Sequence, residues 1–108
     1  MVFWGGLWEF PGGKIKNGED AKTCIIREVK EELGVLIRPV AFVKQIKHAY
    51  SHFSITLNAY HCNYVSGEPN AIGCSDWRWI KPEEVHQFPF PRANHKLFDS
   101  LIGREAVC

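Results

Sequence analysis

A chain of 108 residues, 45% hydrophobic and 13% aromatic, is long enough for one core and too apolar for disorder. Its formal net charge of +1 supplies no bulk pull toward nucleic acid or membrane, so any partner must be held locally. Cys24, Cys62, Cys74 and Cys108 show no C-x-x-C spacing and no apolar run reaches the length of a membrane span, which argues against zinc or iron–sulfur sites and against a membrane partner.

With no secretory leader, reduced thiols and a cytoplasmic location are expected. Met1 to Trp8 opens abruptly with large apolar residues. Trp8-Glu9-Phe10 predicts a short strand, ended by a turn at Pro11-Gly12-Gly13. The two glycines would serve a tight turn, and their bare backbone could equally approach a ligand or aim carbonyls at a metal. Asn17 is the predicted N-cap of a helix from about Glu19 to Leu33, with Gly34 as its stop.

An extended segment from Val35 to Ile46 around Pro39 leads to a second strand, with His48-Ala-Tyr-Ser-His52 interrupting. Phe53, Ile55, Leu57 and Ala59 then alternate with polar residues, as in a strand with one buried face. Ser66 to Asn70 is a turn. Trp77-Arg-Trp79-Ile80 alternates as another strand, and Lys81 to Val85 starts a short helical turn with Pro82 near its N-terminus. A second helix follows from about Arg92 to Ile102, with Ala93, Leu97 and Leu101 stacked at i,i+4, Phe98 and Ile102 beside them, and Gly103 ending it. These elements predict one domain over residues 1–108, an α/β sandwich around a mixed sheet.

The first helix carries the chemistry. At about 100° per residue, Glu28, Glu31 and Glu32 share one face, while Ile25, Ile26, Val29 and Leu33 lie roughly 120° away on the core side. Like charges at these offsets repel by a few tenths of a kcal/mol per pair. Alone, such a run is most simply a solvated acidic face; a divalent cation is the other reason to concentrate it. Arg27, four residues before Glu31, can hold a carboxylate in place.

Gly13, Glu19, Arg27, Glu28, Val29, Glu31, Glu32, Gly34 and Val35 match every fixed position of G-x5-E-x7-R-E-U-x-E-E-x-G-U, where U is a bulky aliphatic residue. Residues 13–35 therefore resemble the Nudix box, and the resemblance continues from Phe3 to about Leu101. It implies a Nudix fold, an α/β/α sandwich, and a loop–helix–loop that binds Mg²⁺ or Mn²⁺ and hydrolyses a nucleoside diphosphate linked to another group. By the same resemblance Glu28, Glu31 and Glu32 are catalytic metal ligands and Gly12 adds a carbonyl. Arg27 and Glu19 brace the carboxylates, with Gly13 and Gly34 structural.

Trp8 to Lys14 and Phe90 to Asn94 are similar to MutT-type enzymes, which act on 8-oxo-dGTP. There the residue matching Asn94 reads the oxidised guanine, and a carboxamide, having both donor and acceptor, can pair with a purine edge. Phe3 to Phe10, His48 to Phe53 and Trp77 to Trp79 resemble instead the Nudix-fold C-terminal domain of MutY-type adenine glycosylases. That likeness implies that Tyr50, Ser51 and His52 touch an 8-oxoguanine in DNA, without hydrolysis. The complete box favours hydrolysis. The strand that usually precedes the tryptophan-containing loop is expected to be missing; a fragment, a late start or a shortened fold completed by a homodimer would each account for it. Asp76 is the nearest carboxylate to the additional catalytic Glu of MutT-type enzymes.

Overall fold

The computed structural model describes residues 1–4 and 6–107; of residues 3, 4 and 101–107 the backbone alone is described. The order is β1 (Val2–Trp4), β2 (Leu7–Glu9), α1 (Ala21–Leu33), β3 (Leu36–Ala49), β4 (Ser54–Ser66), β5 (Asp76–Trp77), a 3₁₀ turn (Pro82–Gln87) and α2 (Arg92–Val107). The strands form two sheets, β2-β1-β5 and β3-β4, and every pairing between them is antiparallel. A single mixed sheet was the expectation. Short connections account for the difference: β1–β2 and β3–β4 are joined by turns too brief for the crossover that parallel pairing needs.

β1 is a strand that composition did not reveal. Val2 pairs with Glu9 on one side and Trp77 on the other, so the amino-terminal residues sit in the middle of their sheet. The predicted strand at Trp77 to Ile80 is reduced to Asp76 and Trp77, paired with Phe3 and Val2, and Arg78 still exchanges backbone bonds with Met1 at 3.0 and 2.9 Å.

α1 begins at Ala21 behind Asp20, whose carboxylate accepts from the Thr23 amide at 2.8 Å. Asn17 is therefore not the N-cap: residues 17 and 18 form a turn, and Glu19 accepts from the Lys16 amide at 3.0 Å. Gly34 does end the helix, at φ 74°, with its amide bonded to the Lys30 carbonyl. The loop after β4 covers the remaining carbonyls. Asn70 N–H donates to the Leu33 carbonyl, and the Ile72 and Gly73 amides both donate to that of Glu32, satisfying groups a helix leaves orphaned.

β3 and β4 form a long hairpin through the predicted interruption at His48. Register shifts fall at Pro39/Ala41, where proline offers no amide, and at Phe42/Lys44. α2 runs past Gly103, which the sequence marked as its stop. A glycine inside a helix costs only about 1 kcal/mol relative to alanine, so it does not end one by itself. The predicted packing of Leu101 and Ile102 lies outside the described side chains.

Two apolar clusters hold these parts. Val2, Val29, Leu33 and Val35 join α1 to β1 and the start of β3, with Ile25, Ile37 and Trp77 against them. Trp8, Val85, Phe90 and Phe98 join β2 to the 3₁₀ turn and α2. Phe98 is the hinge of the second cluster, with Phe90 edge-on at 5.2 Å and Phe10 at 6.3 Å between ring centres. Trp8 also donates its amide to the Pro89 carbonyl at 2.8 Å, tying β2 to the approach to α2. The second cluster holds Trp8 and Phe10 at the start of the segment Glu9 to Gly13, which crosses onto α1 where the Gly12 amide meets Glu32.

Candidate active site

That crossing brings Pro11-Gly12-Gly13 onto the acidic face of α1. The Gly12 amide donates to Glu32 Oε1 at 2.8 Å. Gly13 lies so close to Glu28 that a Cβ on it would collide with the carboxyl group. Glycine is required there by the approach of a charged side chain rather than by the turn alone.

The three carboxylates share a face and differ in setting. Glu32 is 4% exposed, inside the fold against the turn. Glu28 is mostly covered, and Glu31 is more than half open to solvent. A cavity of about 330 Å³ is lined by all three, together with Gly12, Gly73 and Glu9.

Arg27 organises this cluster. Its Nε donates to Glu19 Oε2 at 2.7 Å and its Nη2 to Glu19 Oε1 at 2.9 Å, a bidentate pair. Its Nη1 reaches Glu28 at 2.6 Å and Glu31 at 3.3 Å, and Nη2 also donates to the Lys14 carbonyl. The guanidinium holds the Glu19 carboxyl down to about 2, helped by the Lys16 amide, while the carboxylates raise Arg27 further above its already high range. Cys24, buried beside them, points its thiol at the Gly13 carbonyl at 3.5 Å, and burial pushes it up.

Could this set hold a cation? The donors are carboxylate oxygens, the type hard divalent ions prefer. Among the described residues no three of them are gathered at ligand spacing, because Arg27 Nη1 stands between Glu28 and Glu31. A cation that displaced the Nη1 contacts to Glu28 and Glu31 would find Glu28, Glu31 and Glu32 around one cavity, with Arg27 still anchored on Glu19. The residues fit the ion in type and in number.

A second, larger cleft of about 1460 Å³ adjoins the first. Its walls are mainly apolar and include Phe10, Tyr50, Tyr60, Trp77, Phe90 and Asn94. Asn94 stands in the first turn of α2, half-buried, and its carboxamide makes no hydrogen bond among the described residues. The Ala93 amide donates to the Tyr50 hydroxyl at 3.4 Å, so the start of α2 and the end of the hairpin meet at this cleft. Tyr50 in turn stacks on Phe53 at 4.9 Å.

The structure thus brings Gly12, Glu28, Glu31 and Glu32 to one cavity, and Tyr50 and Asn94 to its neighbour. Ser51 and His52 stay exposed on the hairpin loop, outside the lining of the cleft. Asp76 turns its carboxylate to the Trp77 amide at 2.8 Å and does not reach the acidic cavity. The carboxylate that does reach it, Glu9, was missed. Its signal was a lone acid between Trp8 and Phe10 in a strand, where burial of Trp8 turns residue 9 to the opposite face.

No helix among the described residues is long and apolar enough to cross a membrane. The NUDIX domain family matches residues 2–100. Among relatives, the chain is 30% identical over 95 residues to the 8-oxo-dGTP diphosphatase of Buchnera aphidicola subsp. Acyrthosiphon pisum, covering 88% of this chain and 77% of that protein. It is 32% identical over 102 residues to the CTP pyrophosphohydrolase of Escherichia coli K12, covering 94% and 76%. In three dimensions it resembles the E. coli ORF135 protein with a TM-score of 0.80 at 30% identity, over 94% of this chain and 73% of that one. The MutT protein of Methanosarcina mazei Go1 shares the fold, with a TM-score of 0.78 at 21% identity. With the box in register, the fold in common and the match running almost end to end, the chain belongs to the Nudix family of hydrolases.

Proposed function

We propose that this Nudix hydrolase is a Mg²⁺- or Mn²⁺-dependent pyrophosphohydrolase of nucleoside triphosphates, with 8-oxo-dGTP as its preferred substrate and the monophosphate and pyrophosphate as products. The observation that carries the proposal is the adjacency of two unlike cavities. One is small and lined by carboxylates; the other is large and mainly apolar, with the Asn94 carboxamide, which makes no hydrogen bond among the described residues, in its wall. Triphosphate and base need those two environments side by side. Residues 1–108 form a single Nudix domain in this reading.

Glu28, Glu31 and Glu32, with the Gly12 carbonyl, would hold the cation. It supplies charge neutralisation at the phosphates and a more acidic water. Glu19 keeps Arg27 in place when the cation takes over its contacts to Glu28 and Glu31. The Gly12 amide fixes Glu32, so one ligand is positioned before the ion arrives. Asn94 would present donor and acceptor to the purine edge, with Tyr50 packing beside it. His52 and Ser51 lie apart from this cleft, so the lesion-reading alternative for DNA draws no support from them. A cytoplasmic nucleotide pool is the setting that suits this chemistry.

The test is turnover of 8-oxo-dGTP with Mg²⁺, followed by chelation and by Glu31→Gln and Glu32→Gln with circular dichroism as the folding control. Activity should vanish in all three cases with the fold intact. Turnover that survives both substitutions would overturn the metal-site assignment. A panel with dGTP, CTP and ADP-ribose tests the substrate, and a preference for either of the last two would overturn that part.

A further inference from the structure

Glu9 and Gly12 line both cavities, and among the described residues no other does. β2 sets the direction of Glu9. Trp8 turns into the aromatic core, so the two-residue period of a strand sends Leu7 and Glu9 to the opposite face, where both border the cleft. The Glu9 side chain is half-buried, and its carboxylate makes no hydrogen bond or ion pair among the described residues. Burial pushes it above the usual carboxylate range, with no donor to offset the cost.

A nucleotide with phosphates at the acidic cavity and base in the cleft must lay its sugar across the boundary between them. An ionised carboxylate only accepts hydrogen bonds. Ionised phosphates offer no donor and repel it, and the sugar hydroxyl is the donor that stands closest to them. Resting on the nucleotide reading above, we propose that Glu9 is a substrate-contacting residue that accepts a hydrogen bond from the sugar 3′-hydroxyl of the bound deoxynucleotide. It would measure the distance from phosphate to base and so fix which anhydride bond lies over the carboxylates.

The experiment pairs a deletion on the substrate with one on the protein. The kcat/KM of a deoxynucleoside triphosphate and of its 2′,3′-dideoxy counterpart is compared for the native protein, Glu9→Gln and Glu9→Ala. Binding of the two corresponding monophosphates is measured in parallel without metal. The native protein should favour the hydroxyl-bearing ligand about ten- to a hundredfold in both assays, the range of a hydrogen bond to a charged group. Glu9→Ala should bring the ratio to about one, and Glu9→Gln, which keeps an acceptor oxygen without the charge, should leave a ratio several-fold smaller than the native one.

A native ratio near one, or a ratio that survives Glu9→Ala, overturns the assignment. So does weaker Mg²⁺ affinity in Glu9→Ala with the ratio unchanged, which would make Glu9 a cation ligand instead. If Glu9→Ala does not fold, Glu9→Gln decides, and a ratio equal to the native one sinks the idea. Absence of all turnover with the monophosphate ratio intact would count against the proposed reaction while leaving the role of Glu9 standing.

Discussion

Arg27 grips Glu19 with two nitrogens, at 2.7 and 2.9 Å, across eight residues of sequence, and uses its third nitrogen on Glu28 and Glu31. A lysine would keep the charge and lose the fork. Arg27→Lys should therefore lower kcat/KM by about ten- to a hundredfold, the range seen when a group that orients a metal ligand is replaced. Steady-state kinetics across a Mg²⁺ titration checks it, and the loss should be largest at low Mg²⁺. Unchanged kinetics at every Mg²⁺ concentration would mean that the carboxylates need no brace.

The same pair predicts an acid response. Glu19 titrates near 2 in the folded chain, below its ordinary 4.5. A depressed carboxyl contributes stability that is complete above the unfolded value and disappears as pH falls through the folded one. Between about pH 4.5 and 2 the melting temperature should fall more steeply for the native protein than for Glu19→Gln, which has no proton to take up at that position. Above pH 5 the two curves should run parallel. Thermal melts by circular dichroism over this range settle the matter.

Two glycines of the motif should fail in different ways. Gly34 sits at φ 74°, so Gly34→Ala places a side chain in the left-handed region at a cost of about 1–2 kcal/mol, seen as a lower urea midpoint. Gly13 is not strained, and a methyl group there would press on the Glu28 carboxyl. Gly13→Ala should leave the urea midpoint closer to native and reduce kcat by about a hundredfold, as a displaced catalytic group does. Equal losses of stability in the two variants would contradict this division.

Much of this was legible in the sequence, for a physical reason. The box residues act through local spacing, so helical periodicity and the Gly34 stop place Glu28, Glu31 and Glu32 on one face without tertiary information. Asn17 is as good a cap by type as Asp20, and the choice shows only in the structure, where the Asp20 carboxylate accepts from the Thr23 amide. β5 was expected, over Trp77 to Ile80, and is only shorter; β1 was hidden for the opposite reason. A strand of three residues has no periodicity to detect and exists through pairing alone. Glu9 belongs to that class, since its cavity is assembled by segments that sequence order keeps apart.

Asn94 and Tyr50 both line the large cleft and should fail in different ways. The cleft is mostly apolar, and apolar walls bind any base, damaged or not. Discrimination has to come from a polar group with free hydrogen-bonding capacity, and the Asn94 carboxamide has it. A bidentate contact to a base edge is worth about 1–3 kcal/mol of discrimination, so Asn94→Ala should cut the 8-oxo-dGTP to dGTP ratio of kcat/KM by roughly five- to a hundredfold. Tyr50→Phe removes only the hydroxyl that receives the Ala93 amide, loosening the start of α2 without touching the base. It should shift KM for both nucleotides by a similar factor and leave their ratio alone. If Tyr50→Phe collapses the ratio and Asn94→Ala does not, selectivity resides in the position of α2 and not in the carboxamide it carries.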